Sequence, residues 1–218
     1  LGMVIQGQNS TVPVTIDEMA YHSNIVSRGL KRSLLVADMP FMSYPNADIA
    51  VENAAILMQK GHAQMVKLEG GKKVVETVHH IVNQGIPVCG HLGLLPQSVN
   101  QLGGYRVQGK EQAQADIMLN DAKSLEQAGA SAIVIECVPA ALAKAITASV
   151  RIPIIGIGAG VDCDGQVLVS YDMLDITFGR RPKFSKDFMA ETGNVSEAIS
   201  AYVNAVKNKQ FPADEHSF

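Results

Sequence analysis

No block of like charge, no apolar run of membrane length and no paired-cysteine motif stands in this chain, and each absence removes a class of function. Lys and Arg number 18 against 21 Asp and Glu, a formal net charge of −3 with no basic cluster. Nucleic acid, which is gripped mainly through its phosphates, is therefore not an expected partner. No apolar stretch approaches the roughly 18 residues a spanning helix needs, so a membrane is not expected either. The three cysteines, Cys89, Cys137 and Cys163, cannot all pair, and none forms a C-x-x-C. That usage fits a reducing compartment, read as cytoplasmic, with thiols serving as small core hydrophobes. There is no fixed-period repeat to suggest a solenoid.

What the chain does contain is the alternation of an α/β protein. A hydrophobic content of 47% and a mean hydropathy of +0.11 exclude disorder. Thr15-Ile-Asp-Glu18 is a capping box, opening a helix that should run to about Arg28 and stop at Gly29. The same glycine stop recurs at Gly61, Gly85 and Gly129, each before an apolar run. Strands are predicted near 33–38, 64–69, 86–91, 131–136, 153–157 and 173–177. Helices are predicted near 16–28, 47–60, 72–84, 112–128, 139–149, 162–170 and 194–207. Strands apolar nearly throughout and separated by helices imply a parallel sheet covered by helices. The favoured architecture is a (β/α)8 barrel forming a single domain over residues 1–218, with an open doubly wound sheet as the alternative. Six strands are visible where a closed barrel needs eight, and the chain opens at Leu1 in a loop-like segment. We therefore expect a preceding segment that supplies the N-terminal strands.

Four of these strands end on residues able to do chemistry: Asp38, Lys67 with Glu69, His91 and Glu136. In such barrels, active sites gather at the carboxyl ends of the strands. Asp38 reads either as a ligand for a hard cation or as a turn aspartate. Lys67 and Glu69, two apart on one strand, leave the same face as a substrate-and-metal pair or as a plain ion pair. Gly70-Gly71 after them permits close backbone approach. His91 is a candidate proton carrier or hydrogen-bond donor to an oxyanion, though a lone histidine is often structural. Glu136 closes a deeply apolar run, where desolvation raises its basicity as a general base requires. Gly156-Ile-Gly-Ala-Gly160 lacks the dinucleotide spacing and serves equally for packing. The Gly-rich stretch from Leu92 to Gln112 exceeds an ordinary connector and is predicted to be a lid.

Several blocks in order resemble the ketopantoate hydroxymethyltransferase family over essentially the whole chain. They include Gln6-Gly-Gln-Asn-Ser-Thr-Val-Pro-Val-Thr15, Ala37-Asp-Met-Pro-Phe-Met42, Val66-Lys-Leu-Glu-Gly-Gly71, Pro87-Val-Cys-Gly-His-Leu-Gly-Leu94, Pro96-Gln-Ser-Val-Asn100, Gly103-Gly-Tyr-Arg-Val-Gln-Gly109, Glu136-Cys-Val-Pro139 and Ile155-Gly-Ile-Gly-Ala-Gly160. The resemblance implies a barrel of the phosphoenolpyruvate/pyruvate superfamily, assembled as a homo-oligomer, typically a decamer. It implies transfer of a hydroxymethyl group from 5,10-methylenetetrahydrofolate to 3-methyl-2-oxobutanoate through a Mg²⁺-stabilised enolate, in pantothenate biosynthesis. By motif, Asp38 and Glu69 would hold Mg²⁺, and Asp38, Lys67 and His91 would contact the keto acid. Glu136 would be the proton acceptor. In the family a Gly-Asp-Ser motif directly precedes Leu-Gly-Met, supplying a further metal ligand and a substrate contact; here it would lie before Leu1. A lyase or mutase of the same superfamily is the competing reading, but the Lys-Lys-Cys-Gly-His loop of isocitrate lyases is absent. A shortened, non-enzymatic paralogue is a third.

Overall fold

Parallel pairing joins every neighbouring pair of strands in a computed structural model that describes residues 1–177, 179 and 181–218. The strands are β1 (Val36–Asp38), β2 (Met65–Glu69), β3 (Val88–Gly93), β4 (Ala132–Glu136), β5 (Ile154–Ile157) and β6 (Gly165–Gln166), in sheet order β1-β2-β3-β4-β5-β6. A sheet that adds each strand beside the last in chain order, with helices between, is a barrel wall rather than an open doubly wound sheet, whose order reverses midway. The strands present make up six of a barrel's eight.

The helices are α1 (Ile16–Gly29), α2 (Ala47–Gln59), α3 (Val75–Asn83), α4 (Val99–Leu102), α5 (Gln112–Gln127), α6 (Ala140–Ser149), α7 (Ser170–Met173) and α8 (Val195–Lys207). The capping box forms as read: Thr15 Oγ1 accepts from the Glu18 amide and Glu18 Oε2 accepts from the Thr15 amide. Gly85 and Gly129 adopt the left-handed conformation at their helix ends, with φ of 82° and 97°. Gly29 and Gly61 do not. After α2 the left-handed residue is His62, at φ 57°. Gly61 is needed there for space, since a Cβ would lie 2.5 Å from the Leu57 carbonyl oxygen.

The two faces of the strands divide sharply. Ala37, Val66, Leu68, Val88, Leu92, Ile133, Ile135 and Ile154 alternate onto the helix side and join one core with Ala54, Leu57, Val78, Ile81, Leu125 and Ile146. The opposite face carries Asp38, Lys67, Glu69, His91 and Glu136. A second, smaller core gathers Met173, Phe188, Ala198 and Phe211, where Phe188 meets Tyr202 and Phe211 edge-on at 5.5 Å. Tyr202 donates to the Gln166 carbonyl at 2.8 Å, fastening α8 to β6.

Two expectations fail at the C-terminal end. Residues 162–170, read as a helix, instead contain β6: the Asp164 amide donates to the Ile154 carbonyl, and its carboxylate accepts from the Ile154 amide, both at 2.9 Å. That pairing aligns Gly165 with Ile155 on the sheet edge. Residues 173–177, read as a strand, are not one. Met173 and Leu174 donate back to Val169 and Ser170, closing α7, and Asp175 turns the chain at φ 54°. Met173 and Leu174 serve the second core rather than the sheet, and Ile176 is exposed. The helix read over 72–84 begins as a 3-10 turn, Lys72–Val74, before α3.

Leu125 on α5 is fully buried against β3, its Cδ1 only 2.9 Å from where a Cβ on Gly90 would stand. Leu125→Ala is expected to cost about 2–5 kcal/mol, measured as a fall in the urea midpoint at unchanged slope.

Candidate active site

Strand register assembles the charged residues. Asp38 pairs with Lys67, Glu69 with His91, and Gly93 with Glu136, so the charged positions climb along the carboxyl ends of β1 to β4. They surround a cavity of about 180 Å³ also lined by Leu1, Gly2, Thr11, Val14, Met19, Pro40, Pro96 and Gln97. All five chemistry-bearing residues predicted from the sequence line this one cavity. Glu69 and His91 are buried, and the side chain of Glu136 is 15% exposed.

Among the described residues, Lys67 is the only lysine lining the cavity. Its Nζ lies 3.1 Å from Asp38 Oδ1 and 3.3 Å from His91 Nδ1. Burial alone would lower its pKa, but Asp38 and Glu69 outweigh that and hold it above its ordinary value. Because an ammonium only donates, His91 Nδ1 must accept from it. Burial, with Lys67 adding to it, pushes the imidazole well below its ordinary pKa, so the ring is neutral. The remaining proton therefore sits on Nε2. That atom lies 3.2 Å from Glu136 Oε2 but out of line for a hydrogen bond, and is left buried without a partner beside the cavity.

Glu69 and Glu136 are held in an environment that resists their ionisation. Burial raises Glu69 to about 7, against the opposing pull of Lys67 and of the Gln97 amide. Burial likewise raises Glu136 to about 8, with Lys67 opposing and Glu69 and Asp38 reinforcing. Three carboxylates thus face one ammonium. A divalent cation would answer that imbalance, and the donors suit one: Asp38 and Glu69 offer hard oxygens from neighbouring strands. Among the described residues no three His, Cys, Asp or Glu side chains form a closed metal cage. Mg²⁺ does not demand one, since it is commonly held by one or two carboxylates with substrate oxygens and water completing the shell. The residues fit such an ion.

The Leu92–Gln112 segment contributes Pro96 and Gln97 to the cavity lining. It contains a 3-10 turn, Pro96–Ser98, then α4, and Gly103 ends α4 at φ 69°. The Leu94 amide donates to the Glu136 carbonyl at 2.8 Å, and the Gln108 amide to the Cys137 carbonyl at 2.9 Å. Three residues of the site escaped the sequence reading. Gln97 lines the cavity, Tyr44 donates to Gln97 and accepts from the Glu69 amide, and Gly93 admits the Glu136 carbonyl. Gln97 lay within a block that the resemblance covered, and nothing in a single glutamine marked it. The pairs His79–Asn83 and His80–Asp48 lie outside the cavity, and the Gly156–Gly160 turn packs against Cys163, Phe184 and Ala140.

Similarity to known proteins follows the same outline. The model of the ketopantoate hydroxymethyltransferase family matches residues 1–214. Over all 218 residues the chain is 56% identical to 3-methyl-2-oxobutanoate hydroxymethyltransferase of Shewanella frigidimarina, covering 82% of that protein. The same identity and coverage hold for its counterpart in Marinobacter nauticus. Among solved structures, phosphonopyruvate hydrolase superposes with a TM-score of 0.57 at 12% identity, covering 94% of this chain and 81% of that one. A 2,3-dimethylmalate lyase of the PEP mutase/isocitrate lyase superfamily does so with 0.53 at 14%, covering 91% and 61%. At those identities the likeness is one of fold.

Two outcomes test this geometry. A Cβ on Gly93, at φ 90°, would lie 2.1 Å from the Glu136 carbonyl oxygen, so Gly93→Ala must part β3 from β4. It is expected to cost at least ~2 kcal/mol in denaturant unfolding. The second concerns pH. A carboxyl whose folded pKa stands above its unfolded value binds protons more tightly when folded. Glu136 therefore costs the fold nothing below its ordinary 4.5, and increasingly more from there to about 8. Without added divalent cation, Glu136→Gln should melt above the parent at pH 8 to 9, and the gap should close as pH falls toward 4.5.

Proposed function

The chain belongs to the ketopantoate hydroxymethyltransferase family, and from that premise we propose that it transfers a hydroxymethyl group from 5,10-methylenetetrahydrofolate to 3-methyl-2-oxobutanoate, with Glu136 as the proton acceptor. The observation that carries the residue assignments is the cavity in which Asp38, Lys67, Glu69, His91 and Glu136 converge. At about 180 Å³ it falls below the ~300 Å³ from which sites for drug-sized ligands begin. A small branched keto acid suits that space, and the larger folate approaches from the mouth.

Asp38 and Glu69 would hold Mg²⁺, which when bound draws electrons from the carbonyl and carboxylate oxygens of the keto acid and so acidifies its C3 proton. The Lys67 ammonium meets the substrate carboxylate, exchanging part of its contact with Asp38 for it. Glu136, with its basicity raised by burial, removes the C3 proton. The neutral His91 directs its Nε2 proton toward the cavity, where it can donate to an oxygen on which negative charge develops. The carbanionic C3 then bonds to the one-carbon unit as the bond from that carbon to one folate nitrogen breaks, and water displaces the second folate nitrogen, supplying the hydroxyl oxygen and leaving its released proton on that nitrogen. The proton on Glu136 is available to the departing folate nitrogen. The Leu92–Gln112 segment excludes water from these steps as a cover. The same reading extends to a cytoplasmic homo-oligomer, decameric by resemblance, and the exposed Tyr21, Ile25 and Val26 of α1 supply an apolar face for such packing.

Deuterium exchange at C3 of 3-methyl-2-oxobutanoate in D₂O, followed by NMR without folate, isolates the proton-abstraction step. Exchange is expected with Mg²⁺, not with EDTA, and should fall by at least ~10²-fold in Glu136→Gln. Undiminished exchange in that variant would remove Glu136 as the base. In the parent, the rate should drop as pH falls below the Glu136 pKa, because only the carboxylate accepts the proton.

A further inference from the structure

We propose that Gln97 is a positioning residue: it clasps the carboxylate of Glu69 and thereby sets which of its oxygens faces the cavity. The proposal rests on the reading of Glu69 as a cation-holding residue. It is carried by a closed set of hydrogen bonds. The Gln97 backbone amide donates to Glu69 Oε2 at 3.0 Å. Its side-chain Nε2 donates to the Met39 carbonyl at 2.8 Å, and its Oε1 accepts from the Tyr44 hydroxyl at 2.7 Å. The Tyr44 oxygen in turn lies 3.4 Å from the Glu69 amide that donates to it. One residue thus ties together the chain just after β1, the end of β2 and the root of the Leu92–Gln112 segment.

The chemistry of the side chain matters. A primary amide donates and accepts at once without adding charge. Glutamate at position 97 could still accept from Tyr44, but it would lose the bond to Met39 and add a fourth carboxylate to a cavity that already holds three against one ammonium. Leucine would satisfy neither neighbour. With both side-chain anchors in place, the Gln97 amide is held on Glu69 Oε2. Glu69 Oε1 is left toward the cavity and His91, whose Nδ1 is 3.8 Å away. Glu69 is 8% exposed, so water cannot substitute freely for a lost contact. Groups that orient a metal-holding carboxylate in this manner commonly change metal affinity when removed.

The test uses the whole chain with Tyr44→Phe and Gln97→Ala, singly and together, each checked for folding by circular dichroism. Mg²⁺ is titrated calorimetrically in the absence of keto acid and folate, and exchange of the Gln97 amide is followed by NMR in metal-free Tyr44→Phe. Mg²⁺ affinity should fall 10–100-fold in each single variant, and the double variant should fall little further, since both remove one network. The Gln97 amide should exchange at least ~10-fold faster in Tyr44→Phe. Unchanged exchange in that variant overturns the clasp. Faster exchange with parental Mg²⁺ affinity overturns the positioning role and leaves a structural bond. Should the parent itself bind no Mg²⁺, the cation reading of Asp38 and Glu69 is what fails, and the clasp stands or falls on amide exchange alone.

Discussion

The Lys67 ammonium is the constraint on which the rest of the site depends. Among the described residues that line the cavity it is the only Lys or Arg set against Asp38, Glu69 and Glu136, and it touches Asp38 and His91 directly. Without it, buried Glu69 would face Asp38 and Glu136 with the Gln97 amide left to offset desolvation, and poorly compensated buried charges are costly. Its hydrogen bond also dictates the histidine: a donor at Nδ1 forces the proton of the neutral ring to Nε2. One residue therefore sets both the charge balance and the direction in which His91 can donate. Lysine suits the task because its ammonium reaches two strands from a third without a fixed plane to satisfy.

Lys67 can play that part only because of the register. Pairing Asp38 with Lys67, Glu69 with His91 and Gly93 with Glu136 places every charged group on one face of a sheet whose other face is apolar. A slip of one residue would turn Lys67 and Glu69 into the helix-side core and bring Val66 and Leu68 to the cavity. The two faces enforce each other. The core against α2, α3, α5 and α6 fixes the pairing, and the pairing gathers the charge. Gly93 belongs to this arrangement, since its missing side chain lets the Leu94 amide reach the Glu136 carbonyl.

That division of faces is also why much of the site could be read in the sequence. A short apolar run ending on an ionisable residue is a local pattern, and Asp38, Glu69, His91 and Glu136 each close one as read, with Lys67 two residues before Glu69. The same rule misplaced the sixth strand. Met173 to Thr177 is apolar enough for a strand, but Met173 and Leu174 serve the packing around Phe188 and Phe211, and Ile176 is exposed. The true β6, built around Gly165 and Gln166, has no apolar signal and exists because Asp164 bridges back to Ile154. Gln97 and Tyr44 were illegible for a related reason. Their significance lies in bonds to Glu69 and Met39, residues distant in the chain, and no spacing announces those partners.

The carboxylates reveal what the apolar face of the sheet makes possible. Glu69 at about 7 and Glu136 at about 8 stand where desolvation has already been imposed, before any substrate arrives. A group prepared in this way is more basic than the same carboxylate in water, and that difference is set first by burial, with the neighbouring charges adjusting it. Ile133 and Ile135, fully buried on the helix side of β4, hold Glu136 at the strand end. Stability lost at the site is offset on the reverse side of the same strands. A change at Ile133 or Ile135 should therefore be felt as a change in strand position, and through it in the environment of Glu136, even though neither residue lines the cavity.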